Sequence, residues 1–282
     1  MITINVMGGL GNQLFMVFAT LAYGIQHNVK VVFPCHNCYG ERGTYWDNLF
    51  SNLILFTTLH PTNISEAERS QFPGYPEGGF SYRPIPDLGG GNVCLQGYYQ
   101  SPKYFAGVQS TIYKLMNLYD KQAKVLEKYS NLFSGAKEIV SMHFRLGDYK
   151  YKQDYHPVMR YEYFEGALRH IISARPDVSR VLYFCENEDN EFVRQQIQQM
   201  NDKWPGLEFI KVDDQIPDYE QLLVMSCCKH NIIANSTFSW WGAYFNENPN
   251  KIVCYPSVWF GHKYTGVSTT DLIPDGWVKI EA

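Results

Sequence analysis

Apolar and polar positions change period several times along the chain, and those changes predict its elements. Ile2 to Val6 reads as a strand and Met7-Gly8-Gly9-Leu10-Gly11 as a turn. From Asn12 to Gln26 apolar residues recur at Leu14, Phe15, Phe18, Leu21, Ala22 and Ile25, a helical spacing. Val29 to Phe33 returns as a strand closed by Pro34. Residues 61–92 are rich in Pro and Gly and read as one long loop, after which Asn92 to Gln96 resumes a strand. Val108 to Tyr129 reads as one long helix.

Beyond residue 137 the alternation becomes regular. Strands at Glu138–Phe144, Arg180–Cys185, Leu207–Val212 and Asn231–Ala234 alternate with helices at Tyr161–Ala174, Asp189–Asn201, Asp218–Cys228 and Phe238–Asn246, and Lys251–Tyr255 adds a strand. Strands alternating with helices make βαβ units, hence a parallel sheet. The expected fold class is α/β, with two Rossmann-like domains, 1–135 and 136–282, facing each other across a cleft. In open parallel sheets ligands lie at the carboxyl ends of strands. The loops after Phe144, Cys185, Val212 and Ala234 are therefore where chemistry is expected.

Composition narrows the classes. A net charge of −4, with no basic run, argues against a nucleic-acid partner, which needs a basic face. One or two cations suffice for a diphosphate. The aromatic share of 16% suits either sugar-binding clefts or a well-filled core. No apolar stretch approaches the ~20 residues of a membrane span, and no basic segment followed by an apolar run marks a secretory signal. The seven cysteines, odd in number and scattered, suit reduced thiols, so a cytoplasmic location is expected. Cys35 and Cys38 form a single C-x-x-C around His36, without the second pair that a zinc site needs.

Three segments carry candidate chemistry. His143-Phe144-Arg145-Leu146-Gly147-Asp148-Tyr149 closes a buried strand. Arg145 offers a planar fork for phosphate oxygens, or else forms a structural pair with Asp148. Asn235-Ser236-Thr237 precedes a helix. It reads as a helix cap or, through the same exposed N–H groups and the macrodipole, as an anion site. Gly8-Gly9-Leu10-Gly11-Asn12-Gln13 has G-G-x-G spacing, not the G-x-G-x-x-G of dinucleotide enzymes, and no acidic residue follows the next strand.

Together these segments resemble the α-1,2-fucosyltransferase family of bacteria and some viruses. The matching stretches are Gly8 to Gln13, Gln96-Gly97-Tyr98-Tyr99-Gln100-Ser101, His143 to Tyr149, and Lys229 through Ala243, in order across nearly the whole chain. The resemblance implies an inverting enzyme of the glycosyltransferase B type. GDP-fucose would be the donor and a glycan, most simply a terminal β-galactoside, the acceptor, with no metal or other cofactor. The chain contains no Asp-x-Asp triplet to hold a metal–diphosphate. It departs from the family at Leu146, where a second Arg is usual, and at Cys185-Glu186-Asn187-Glu188, where Ser-Asp-Asp is common.

By resemblance, Arg145 takes up the charge of the leaving diphosphate, with Asn235, Ser236, Thr237 and Phe238 beside it. Gly9, Gly11, Asn12 and Gln13 reach the phosphate or the fucose from the first domain. His143, Asp218 and Glu220 contact guanine, and Glu186 borders the nucleotide. Asp148 lies near the place of a general base, although a carboxylate beside a guanidinium is a weak one. The rival readings are a fucosyltransferase of another linkage and a non-catalytic carbohydrate-binding protein.

Overall fold

The computed structural model describes residues 1–35 and 43–282, which form two compact units. Unit 1 comprises Met1–Asp120 with Val267–Pro274, and unit 2 comprises Lys121–Gly266 with Asp275–Ala282. Cys38 and His36 of the C-x-x-C lie outside the described residues. The main division falls at Asp120/Lys121, before the 135 expected from the strand alternation.

In unit 1, β1 (Ile2–Ile4) leads into α1 (Leu10–His27). Leu10 to Gly24 is almost wholly buried, so this helix is wrapped by its unit rather than lying on its surface. Gly9 caps the start with extended backbone, and Asn28 stops the helix in the left-handed region at φ 52°, its N–H bonded to Gly24 O. Val29 to Phe33 forms isolated parallel bridges, Ile2 to Val31 and Phe33 to Thr57, rather than a full strand. The expected loop 61–92 holds α2 (Glu66–Arg69) and β2 (Gly74–Pro76) before β3 (Val93–Gln96). Arg69, 2% exposed, donates to Thr3 Oγ1 at 3.2 Å and Asn5 Oδ1 at 2.9 Å, which fixes the end of β1. The sheet is all parallel, ordered β1-β3-β2.

The single helix expected over 108–129 is two, α3 (Gln109–Leu115) and α4 (Leu118–Lys128). Asn117 breaks it at φ 54°, a left-handed conformation that asparagine tolerates. The short helix α5 (Ser130–Phe133) follows.

Unit 2 then runs β4 (Glu138–His143), α6 (Tyr161–Ala174), β5 (Val178–Phe184), α7 (Asn190–Lys203), β6 (Glu208–Lys211), α8 (Asp218–Cys227), β7 (His230–Ile232), α9 (Thr237–Tyr244), β8 (Val253–Pro256) and β9 (Val278–Ile280). Its six strands are parallel, in the order β6-β5-β4-β7-β8-β9. The first strand of this unit, β4, therefore sits in the middle, with the chain winding outward first one way and then the other. The reversal lies between β4 and β7, which makes the crevice at their carboxyl ends the topological switch point. Val140, Met142, Phe164, Leu168, Ile171, Val181 and Ile232 pack the core around β4. The edge strand β9 has no strong sequence signal. It is recruited by β8 after residues 267–274 have visited unit 1, where Asp271 accepts from Tyr82 N at 2.9 Å and pairs with Lys103 at 2.5 Å.

Candidate active site

The site is assembled from the two loops that leave the switch point. After β4, Phe144 N donates to Phe184 O at 2.8 Å, extending the ladder by one residue. Side chains then alternate: Phe144 and Leu146 enter the core, 1% and 5% exposed, while Arg145 turns outward between them. Position 146 thus faces the hydrophobic interior, where a second arginine would have to bury its charge. Leucine there is the residue its surroundings require.

Arg145 has two carboxylate neighbours. One terminal nitrogen donates to Asp148, the other to Glu186 at the end of β5, and the guanidinium carbon lies 4.8 Å above the Tyr149 ring. Its side chain is 16% exposed, whereas Asp148 and Glu186 are each 47% exposed. The pairing with Glu186 brings the divergent Cys185–Glu188 loop into the site. Gly147 permits that approach: at φ 40°, a Cβ there would stand 2.6 Å from Glu186 Oε2. Its N–H donates to buried Asp189 at 2.9 Å, and Lys150 Nζ donates to the same carboxylate at 2.6 Å. Asp189 and Lys150 also shape the site but fall in no motif of the sequence, whereas Tyr149 closes the His143–Tyr149 segment. Glu186, Glu188 and Asp189 bring carboxylate oxygens within 4.8 Å of one another, a set able to hold a cation, and Arg145 and Lys150 already bond to them.

His143 ends β4 and packs its ring 5.4 Å from that of Phe238, on the first turn of α9. Burial, with Arg145 and Lys211 adding repulsion, lowers its pKa to about 3, so the imidazole is neutral at physiological pH. Its Nδ1 is buried without a partner among the described residues.

The loop after β7 closes the other side. Ser236 caps α9, its Oγ accepting from Phe238 N at 3.3 Å. Asn235, 1% exposed, donates to Pro157 O and Trp259 O, both at 3.0 Å, so its side chain binds two loops together. Trp240 and Trp241, wholly buried, anchor α9. Gly242 lets α8 pass close, since a Cβ there would stand 2.8 Å from Met225 Cβ. The helix start that offers N–H groups is therefore held rigidly. His143 ends β4 and Arg145 and Asp148 follow it, Glu186 follows β5, and Asn235 to Phe238 lead from β7 into α9, so these residues gather at the carboxyl ends of three neighbouring strands.

Within unit 2, Asp218 and Glu220 are not part of this group. Asp218 opens α8, beyond β6 at the sheet's edge, and accepts from Tyr219 N at 2.7 Å. Glu220 pairs with Lys128 at 2.7 Å and accepts from the Tyr129 hydroxyl, fastening α8 to α4. Burial raises its pKa, but the Lys128 and Tyr129 bonds outweigh this and leave it lowered. Gly9, Gly11, Asn12 and Gln13 belong to unit 1. Gln13 is wholly buried and donates to Gly8 O at 2.8 Å and Gly43 O at 2.9 Å, so it is a brace for the glycine turn. Asn12 is half-buried, and its Oδ1 accepts from Gln100 Nε2 at 2.9 Å.

The model of glycosyl transferase family 11 matches residues 89–281, which include all of unit 2's sheet. The chain belongs to that family. This family 11 chain is 25% identical to an Escherichia coli alpha-1,2-colitosyltransferase across 97% of both proteins. It is 25% identical to a galactoside 2-alpha-L-fucosyltransferase of Caenorhabditis elegans, over 89% of this chain and 71% of that one. The O-antigen biosynthesis glycosyltransferase WbnK of Escherichia coli is 27% identical over 66% of this chain, a match spanning 60% of that protein. A glycosyl transferase family 9 structure from Veillonella parvula shares the fold, with a TM-score of 0.52 at 8% identity over 100% of this chain and 85% of that one. Among the described residues no helix is long and apolar enough to cross a membrane.

Proposed function

We propose that this family 11 glycosyltransferase moves L-fucose from GDP-fucose to a sugar hydroxyl, most simply O-2 of a terminal galactoside, with inversion and without a metal ion or other cofactor. One observation carries the reading: Arg145 and the capped start of α9 stand on the two loops of a topological switch point. A cation and a helix N-terminus at such a crevice suit a diphosphate.

In the proposed reaction the bond from the sugar's C1 to the β-phosphate oxygen breaks, GDP leaving with the electron pair, as the acceptor oxygen bonds to C1 from the opposite face and its hydroxyl proton passes to water. Negative charge grows on the leaving diphosphate, and Arg145 with the α9 amides stabilises it. The diphosphate competes with Asp148 and Glu186 for the guanidinium. Both carboxylates are exposed enough to be re-solvated when it arrives. His143, neutral and with Nδ1 unpartnered, is suited to hydrogen-bond an uncharged group such as a base edge. Asn12, its amide oxygen engaged by Gln100, is proposed to bond a sugar hydroxyl.

A colitosyl donor is the second reading, favoured by the end-to-end likeness to the colitosyltransferase. The test is incubation with each nucleotide sugar and a glycan panel, reading product mass and linkage. A new α-1,2 fucoside supports the proposal. Glycan binding without GDP binding or transfer would instead mark a carbohydrate-binding protein.

A further inference from the structure

The carboxyl edge of the sheet in unit 1 carries a second polar cluster, built around Glu77. This residue follows β2, and its Oε2 accepts from two successive main-chain N–H groups, Tyr98 at 2.8 Å and Tyr99 at 3.0 Å. Oε1 accepts from no described residue. The turn after β3 is shaped to receive this carboxylate. Gly97 has φ 153°, and a Cβ there would stand 2.3 Å from Glu77 Oε2 and 2.4 Å from Glu77 Cβ. Tyr99 takes the left-handed conformation at φ 53°, uncommon for a tyrosine, and is held in it by a ring only 1% exposed. A strained turn closed on one carboxylate, in a loop at the end of a parallel strand, is an arrangement found at ligand sites.

The same turn displays an aromatic face and an amide pair. Tyr98 is 38% exposed, and its ring edge lies over the glycine turn, with Cε1 3.7 Å from where a Gly8 Cβ would be. Asn12 stands beside it, Nδ2 at 3.2 Å from that same point, bonded to Gln100. An exposed ring on a turn that also holds a carboxylate at its main chain and carboxamides beside it is the chemistry that recognises a pyranose: C–H groups stack on the ring and hydroxyls meet the polar atoms. Galactose suits it well, because its axial 4-hydroxyl leaves one face of the sugar lined by C–H groups.

We infer that Glu77, Tyr98 and Gln100 form the subsite in unit 1 that binds the acceptor sugar, a terminal β-galactoside, with Tyr98 as the stacking platform and Glu77 Oε1 accepting from a sugar hydroxyl. This rests on the proposed glycosyl transfer and adds the residues that choose the acceptor. Burial raises the pKa of Glu77 against the pull of its two amide bonds.

The test uses the full chain with lactose, N-acetyllactosamine and methyl β-galactoside, titrated by ligand-observed NMR, and GDP titrated separately by calorimetry. At least one galactoside is expected to bind, with Tyr98→Ala and Glu77→Gln each weakening it about tenfold while Tyr98→Trp retains it. Glu77→Gln keeps an oxygen for the two amides, so the turn stays folded. GDP affinity stays at the wild-type level in all three variants. Failure of all three galactosides to bind, or wild-type affinity in both Tyr98→Ala and Glu77→Gln, overturns the inference. Galactoside binding that depends on Tyr98 in a chain that does not bind GDP upholds the subsite and removes the proposed transfer.

Discussion

The Tyr149 hydroxyl donates to the main-chain carbonyl of Asn235 at 3.4 Å, joining the loop after β4 to the loop after β7. The Tyr149 ring lies beneath the Arg145 guanidinium and stacks on His156, centroids 4.7 Å apart and 20° from parallel. One residue thus supports the cation from below and ties it to the helix start. Tyr149→Phe, which keeps the ring, is expected to retain most GDP affinity. Tyr149→Ala, which leaves Arg145 unsupported, is expected to weaken it about tenfold, within the range for a partly desolvated cation–π contact. Calorimetry with GDP compares the two, and equal affinities would rule out the supporting role.

Arg145→Ala is expected to lower turnover about 10²–10³-fold, by analogy with loss of one oxyanion donor. The change also leaves Asp148 and Glu186 without their shared cation, which adds repulsion toward an anionic donor. Arg145→Lys should recover only part of the loss, because an ammonium cannot match the fork. Steady-state rates in folded variants decide it, and unchanged turnover in Arg145→Ala removes the residue from the chemistry.

Asn235→Ala is expected to act first on stability. Its side chain satisfies the carbonyls of Pro157 and Trp259, and leaving them unpaired costs about 1–3 kcal/mol apiece. Urea denaturation measures this. A variant as stable as wild type but with lost GDP binding would instead make Asn235 a direct contact.

His143 links stability to acid. Its folded pKa of about 3 lies below the unfolded value of 6.5, so above 6.5 both states are neutral and pH has no effect through this group. Below 6.5 the unfolded chain takes up a proton that the folded chain refuses, and stability falls as pH drops. The loss should reach about 2 kcal/mol by pH 5. His143→Phe should flatten that limb in denaturation curves at pH 7 and pH 5, and a slope equal to wild type would refute the assignment.

Much of unit 2 is legible in the sequence because its signals are local. The regular alternation predicts the βαβ winding, and the helix at Tyr161–Ala174 coincides with α6 residue for residue. The segments at 143–149 and 235–238 are legible as candidate chemistry, and the fold brings them to adjacent strand ends. Other features depend on tertiary partners and leave no local trace. Residues 278–280 become a strand only because β8 offers an open edge. The helix over 108–129 breaks at Asn117, where one left-handed residue overrides a continuous periodicity. Glu220 looks like a ligand-facing carboxylate until Lys128 and Tyr129 are seen to occupy it. Glu186 carries no family signature, yet Gly147 makes room for it beside Arg145.

The course of the backbone near its end limits how this protein can be dissected. A cut after Asp120 would strip unit 1 of residues 267–274, and with them the partner of Lys103 and Tyr82. It would leave that orphaned stretch dangling from the other fragment. Removing everything beyond 266 would instead cost unit 2 its last strand. Neither half can be expressed intact as a single continuous piece, so insertions, truncations and circular permutants have to be planned around three crossings of the chain rather than one.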